Sequence, residues 1–187
     1  MSKAVFLDRD GVLIKDVNYL SHLSQIEIYD DVPVSLKKLQ SLGFKLIVVT
    51  NQSGVSRGYF TEGFVLETHK MINQLLEPYH IQIDDFIYCP HHPDGQIPYN
   101  LDCNCRKPNT GMIDKARTEH KIEVEGSFMI GDKPSDIELA FNAKLAGILV
   151  ETGYGLNSSP LVADKFPEVP QFVSFQDATN YIARITT

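Results

Sequence analysis

Tryptophan is absent from the 187 residues, and cysteine occurs only three times. An odd number of cysteines, in a chain that opens without a secretory leader, does not suit a disulfide framework. Metal binding or catalysis is the better expectation for them. No apolar run approaches the ~20 residues that a membrane helix needs. The opening stretch from Met1 to Leu7 meets an acid at Asp8, too soon for a signal peptide. We therefore expect a cytoplasmic protein with no membrane partner. A basic surplus is missing as well: Lys and Arg total 17 against 24 Asp and Glu, a net charge of −7. That balance argues against nucleic acid as a partner. It admits an anionic substrate only where positive charge is gathered locally. Repeats and low-complexity tracts are lacking too. No exposed apolar stripe stands out, so a monomer is expected.

What is present is a globular composition. Hydrophobic residues make up 43 % and charged residues 22 %, which excludes disorder, collagen and coiled coil. The length suits one domain over residues 1–187. Strand-like apolar runs alternate with helix-like periods, the pattern of an α/β fold: a three-layer, Rossmann-like parallel sheet with helices on both faces. Strands are expected at Ala4–Leu7, Phe44–Val49, Phe86–Tyr88, Phe128–Ile130, Gly147–Val150 and Phe172–Val173.

Asp31, with Pro33 in the first turn, opens a helix that buries Val32, Leu36 and Leu39 and that Gly43 can end. Thr61 caps the next helix, with Leu66, Ile72, Leu75 and Leu76 inward. Further helices are expected at Met112–His120, from Pro134 or Ser135 with Ile137, Ala140 and Phe141 inward, and at Ser174–Ile185. Residues 15–29, 52–60 and 89–110 break the alternation. They lie beyond strand ends, where open α/β sheets bind ligands, so they are the candidate substrate loops.

Chemistry-bearing residues collect at the same edge. Asp8 and Asp10, with Gly11 turning the chain behind them, follow the first strand. Acids this close repel, and a divalent cation would compensate. Asp132 after another strand supplies a third acid, and three oxygen ligands suit Mg²⁺. Thr50, Asn51, Gln52, Ser53 and Gly54 offer a hydroxyl, amides and open backbone N–H groups, all able to hold phosphate oxygens. Arg9, Arg57, Arg106, Lys107 and Lys133 provide the local positive charge. Any one of these pieces alone reads as a turn or a solvated pair. Their shared position at strand ends is what points to a site.

All three cysteines sit in one loop, as Cys89-Pro-His91-His92-Pro and Cys103-Asn-Cys105. Cys89, His91, Cys103 and Cys105 form a closed set of four ligands that suits structural Zn²⁺, with His92 second to His91. Zinc there would fix the loop that carries Arg106 and Lys107. His22, His69, His80 and His120 carry no mark beyond surface or core histidine.

Asp8-x-Asp10-Gly, then Thr50-Asn51 after a strand, then Lys107-Pro, then Gly131-Asp132 with Asp136, together resemble the haloacid-dehalogenase-like phosphohydrolase superfamily. The resemblance spans nearly the whole chain and includes no segment long enough for a separate cap domain. It implies Asp8 as nucleophile and Asp10 as general acid and then base. It implies Mg²⁺ on Asp8, the Asp10 carbonyl and Asp132, with Thr50 and Lys107 on the phosphoryl oxygens. Asp136 would orient Lys107 or a metal-bound water. Val12 departs from the pattern, where many members have Thr.

With the zinc loop included, the motifs are similar to those of sugar-bisphosphate phosphatases. Histidinol-phosphate phosphatases share the zinc pattern but typically have a shorter loop between the histidine and the cysteine pair. The first resemblance implies a small phosphorylated sugar held by Asp16, Tyr19, Asn51, Gln52, Ser53, Arg106 and Lys133, with Arg106 taking the phosphate that does not react. The alternative from another class is a zinc-stabilised module that binds phosphate without catalysis. The presence of Asp8, Asp10 and Asp132 together argues against it.

Overall fold

A computed structural model describes residues 2–186 of the chain. Its centre is β1 (Ala4–Leu7), four residues with no solvent exposure. Runs of this kind, apolar on both faces, belong in a parallel sheet covered on both sides. β1 pairs in parallel with β2 (Lys45–Asn51) on one side and β4 (Phe128–Gly131) on the other. β3 (Asp85–Cys89), β5 (Ala146–Val150) and β6 (Gln171–Phe172) complete six parallel strands in the order β3-β2-β1-β4-β5-β6. The chain runs outward from β1 to β3 and then returns to β4. The carboxyl ends of β1 and β4 therefore flank the point where the winding reverses, which opens a crevice.

The two-residue period of the strands sorts side chains into two cores. Val5, Leu7, Leu46 and Val48 face a layer built from α1 (Val32–Ser41), α2 (Glu62–Leu76) and α6 (Phe175–Thr186). Ala4, Phe6, Ile47 and Val49 face α3 (Gly111–His120) and α4 (Pro134–Ala143). A sixth helix, α5 (Gly155–Lys165), lies on that second side and buries Val162 against Ile137 and Leu149.

Several expectations need correction. The α5 helix is absent from the sequence reading, because Pro160 and the flanking glycines and serines read as punctuation. Leu66, Leu75 and Phe141, expected inward, are exposed by 55 %, 40 % and 71 %. Each sits at the margin of its helix's apolar stripe, where small errors in phase change the face. Val173, expected in the last strand, is 70 % exposed and follows β6. Asp31 precedes α1 but does not cap it: its Oδ2 accepts instead from the Gln176 N–H at the start of α6 (2.8 Å). Thr61 does cap α2, accepting from Phe64 N–H at 3.2 Å. Gly43, at φ +85°, turns the chain out of α1. Among the described residues no helix is long and apolar enough to cross a membrane.

Candidate active site

β1 ends by delivering Asp8 into the crevice, and the turn after it is tight. The Arg9 carbonyl accepts from both Leu13 and Ile14 N–H. Gly11, at φ +89°, makes that turn possible. Asp8 is 4 % exposed. Its Oδ1 accepts from Arg9 N–H (2.8 Å) and from Lys107 Nζ (2.9 Å), while Oδ2 lies 4.0 Å from Lys133 Nζ. Burial alone would raise its pKa, but Lys107 and Lys133 outweigh burial and hold Asp8 below the usual carboxylate range.

Lys107 reaches the centre from the cysteine loop. Its Nζ also meets Asp136 Oδ1 (2.7 Å) and donates to the Val49 carbonyl (3.0 Å). Burial opposes its charge, yet Asp136 and Asp8 hold the ammonium above its ordinary range. Asn51 clamps the Lys107 main chain from both sides, accepting from its N–H (3.0 Å) and donating to its carbonyl (3.2 Å). Asp136 also caps α4, accepting from Lys133 N–H (3.0 Å).

Asp132 closes β4 with no exposure. Burial first, and then Asp8, push its carboxyl up to about 7. Its Oδ2 accepts from Tyr154 N–H (2.8 Å), and its buried Oδ1 accepts no hydrogen bond. Asp8, Asp132 and Asp136 bring carboxylate oxygens within 4.8 Å of one another. Crowded, buried acids, one with an oxygen that accepts no hydrogen bond and faces the Lys133 ammonium at 3.4 Å, fit a hard divalent cation such as Mg²⁺. The Asp10 carboxylate lies outside this group, which leaves its backbone carbonyl as the atom it can offer a cation.

Asp10 is instead held by a fork. Arg9 donates through Nε (3.0 Å) and Nη2 (3.1 Å), and Gln52 Nε2 donates from the other side (3.0 Å). Gln52 also donates to Thr50 Oγ1 (2.8 Å) and accepts from Arg9 Nη2 (3.0 Å). The Gln52 amide thus ties Thr50, Asp10 and Arg9 into one unit.

A cavity of about 290 Å³ opens above these groups. All three candidate loops line it. Asp16 and Tyr19 come from the first, Gln52 and Ser53 from the second, and Arg106 and Lys107 from the third, with Lys133 opposite. Asn18 and Phe60, from the first two loops, also line it, as do Ser135 and Tyr154, which lie outside the three loops. Tyr154 was missed because it belongs to the turn before α5. Arg57 lies outside the lining, with Nη2 3.4 Å from His92 Nε2. Lys133 bridges Asp16 (3.3 Å) and Asp132 (3.4 Å) and lies over the Tyr154 ring at 4.9 Å.

The cysteine loop gathers its own donors. Cys105 Sγ lies 2.8 Å from Cys89 Sγ and 3.2 Å from Cys103 Sγ, and His91 Nδ1 lies 3.3 Å from Cys105 Sγ. The three cysteines are free thiols. Burial and the neighbouring thiols push Cys89 far up, so its thiolate requires a cation beside it. Three sulfurs and an imidazole nitrogen around one point fit Zn²⁺. Arg106 Nη1 donates to the His91 carbonyl (3.3 Å), tying this cluster to the cavity.

The family model described as HAD-hydrolase-like matches residues 104–175. The chain is 37 % identical over 179 residues to the D-glycero-beta-D-manno-heptose-1,7-bisphosphate 7-phosphatase of Haemophilus influenzae, covering 92 % of this chain and 97 % of that one. It is 43 % identical over 155 residues to the D-glycero-alpha-D-manno-heptose-1,7-bisphosphate 7-phosphatase of Photorhabdus laumondii, covering 81 % and 84 %. The fold is similar to the solved D,D-heptose 1,7-bisphosphate phosphatase of B. bronchiseptica, a complex with magnesium and phosphate. That match has a TM-score of 0.86 at 25 % identity and covers 98 % of this chain and 99 % of that one. The chain belongs to the haloacid-dehalogenase-like hydrolases, in the branch of these heptose-bisphosphate phosphatases.

Proposed function

We propose that this protein hydrolyses the 7-phosphate of D-glycero-D-manno-heptose 1,7-bisphosphate through an aspartyl-phosphate on Asp8. The observation that carries the reading is the buried pairing of Asp8 with Lys107 beneath a cationic cavity. Lys107 and Lys133 keep Asp8 ionised, as a nucleophile requires. Asp8 Oδ2 is the oxygen left to attack phosphorus. The phosphorus–oxygen bond to C7 breaks as Asp10 passes its proton to the departing sugar oxygen. Water then attacks the aspartyl-phosphate, Asp10 takes its proton, and Asp8 and inorganic phosphate are released. Lys107 and Thr50 offset charge on the equatorial oxygens throughout.

Mg²⁺, held by Asp8, the Asp10 carbonyl and Asp132, supplies charge neutralisation at the phosphoryl group. Zn²⁺ on Cys89, His91, Cys103 and Cys105 is structural, because four protein ligands leave no open position. Arg106, whose guanidinium can grip phosphate bidentately, takes the phosphate that does not react. Asp16, Tyr19, Asn51, Gln52, Ser53 and Lys133 form the wall around the sugar.

The experiment is a phosphate-release screen with Mg²⁺ over the heptose bisphosphate, sugar monophosphates and histidinol phosphate, with Asp8→Asn as control. We expect the highest kcat/KM on the bisphosphate and none in the variant. A preference for histidinol phosphate would overturn the substrate, and undiminished turnover by Asp8→Asn would overturn the nucleophile.

A further inference from the structure

His69 sits on α2, outside the three loops, yet the fold ties it to Asp10. Val5 and Leu7 face the core beneath α1, α2 and α6, and Arg9 follows two residues later in the buried turn after β1. Leu7 pairs with Val48, and Thr50 pairs with Tyr88. Thr50 and Tyr88 therefore share a row of the sheet, and Arg9, in the turn after β1, is joined to Thr50 through the Gln52 amide. His69 covers the end of that row: its ring stacks on Phe86 (4.5 Å between centroids, 16° between planes) and meets Tyr88 edge-on at 5.8 Å.

Arg9 is 2 % exposed and His69 5 %. Nε and Nη2 of Arg9 are committed to Asp10 and Gln52. Its Nη1 is buried without a hydrogen-bond partner, and so is Nε2 of His69. Leaving a buried donor and a buried acceptor both unsatisfied is costly, and one shared contact satisfies both. Burial first, and then the Arg9 charge, lower the His69 imidazolium to a pKa of about 3, so the ring is neutral and one nitrogen is free to accept.

We infer that His69 is a positioning residue: through Nε2 and one buried water it accepts from Arg9 Nη1 and fixes the guanidinium that aims Asp10 at the leaving oxygen. The inference rests on the acid role proposed for Asp10 and extends it to a helix that never touches substrate.

The test separates proton transfer from the rest of the reaction. His69→Phe keeps the aromatic stack and removes the acceptor, and His69→Gln supplies an acceptor again. The heptose bisphosphate has a sugar leaving group that needs a proton, whereas p-nitrophenyl phosphate releases a phenolate that does not. In His69→Phe we expect kcat on the bisphosphate to fall roughly tenfold with KM held within about twofold. The burst rate of p-nitrophenolate release stays at the wild-type value, and His69→Gln recovers most of the loss. Equal losses on both substrates, wild-type turnover in His69→Phe, or no recovery in His69→Gln overturns the inference. If the variants do not fold, ¹⁵N NMR of the wild-type imidazole decides: an Nδ1–H tautomer supports the role and an Nε2–H tautomer overturns it. Wild-type inactivity on the bisphosphate alone would overturn the substrate reading, and the same comparison then runs on a simple alkyl phosphate.

Discussion

The Nζ of Lys107 lies 2.7 Å from Oδ1 of Asp136, and both side chains are closed to solvent. The same ammonium is 2.9 Å from Asp8. A cation shared by two buried acids is costly to remove, because each carboxylate then stands uncompensated. Lys107→Met should lower stability by about 3 to 5 kcal/mol, read as a lower urea midpoint, and should abolish phosphate release. Adding Asp136→Asn removes one orphaned charge. The double variant should regain part of the stability and none of the activity. If it regains no stability, the pair is not coupled in the way the geometry implies.

Zinc should be bound at about one ion per chain and should survive mild EDTA that strips Mg²⁺. Cys105 precedes Arg106, and Arg106 in turn holds the His91 carbonyl. Loss of a ligand therefore loosens the segment that presents both Arg106 and Lys107. In Cys103→Ser, Tm falls and KM for the bisphosphate rises roughly tenfold, while p-nitrophenyl phosphate is affected less because it carries no second phosphate. Metal analysis and paired kinetics check this. Wild-type protein free of zinc yet fully stable would refute it.

Acid should weaken the fold through His69. Its pKa is about 3 in the folded chain against an ordinary 6.5. The unfolded state therefore binds the proton first as pH falls. The contribution is fully present above pH 6.5 and is lost progressively toward pH 3. In His69→Phe nothing titrates at this position. The stability difference between wild type and variant should shift by about 3 kcal/mol against the wild type between pH 7 and pH 4. Urea unfolding at the two pH values measures it, and a difference that stays constant contradicts the assignment.

The acids at strand ends and the cysteine loop were legible because short motifs keep their spacing however the chain is packed. Asp8, Asp132 and Lys107 meet because parallel strands deliver their carboxyl ends to one edge. What the sequence hides is partnership across elements. Arg9 and Asp10 are neighbours in the chain, but only the fold brings Gln52 to complete the fork. Asp31 reads as the cap of α1, yet the packing of α1 on α6 gives its carboxylate to Gln176. His69 carried no signal, since its setting comes from Phe86, Tyr88 and Arg9 on other elements. Tyr154 entered the site unannounced because Pro160 masked the helix behind it.

Two bare backbones grip Asp132. A Cβ on Gly11 would lie 2.2 Å from Asp132 Oδ2, and one on Gly153 would lie 2.3 Å from the same oxygen. Gly11→Ala must therefore push Asp132 aside and also force a side chain into φ +89°. Gly43 separates these effects: its φ is +85°, and nothing lies within 4 Å of its would-be Cβ. Gly43→Ala should lose about 1 kcal/mol of stability and need no more Mg²⁺ than the wild type. Gly11→Ala should lose at least as much stability, and the Mg²⁺ concentration for half-maximal phosphate release should rise roughly tenfold or more, because a misplaced carboxylate is a poorer ligand. Magnesium titrations of the two variants side by side decide the point. If both need the same Mg²⁺ as the wild type, Asp132 does not hold the cation, and the third acid of the site has some other work.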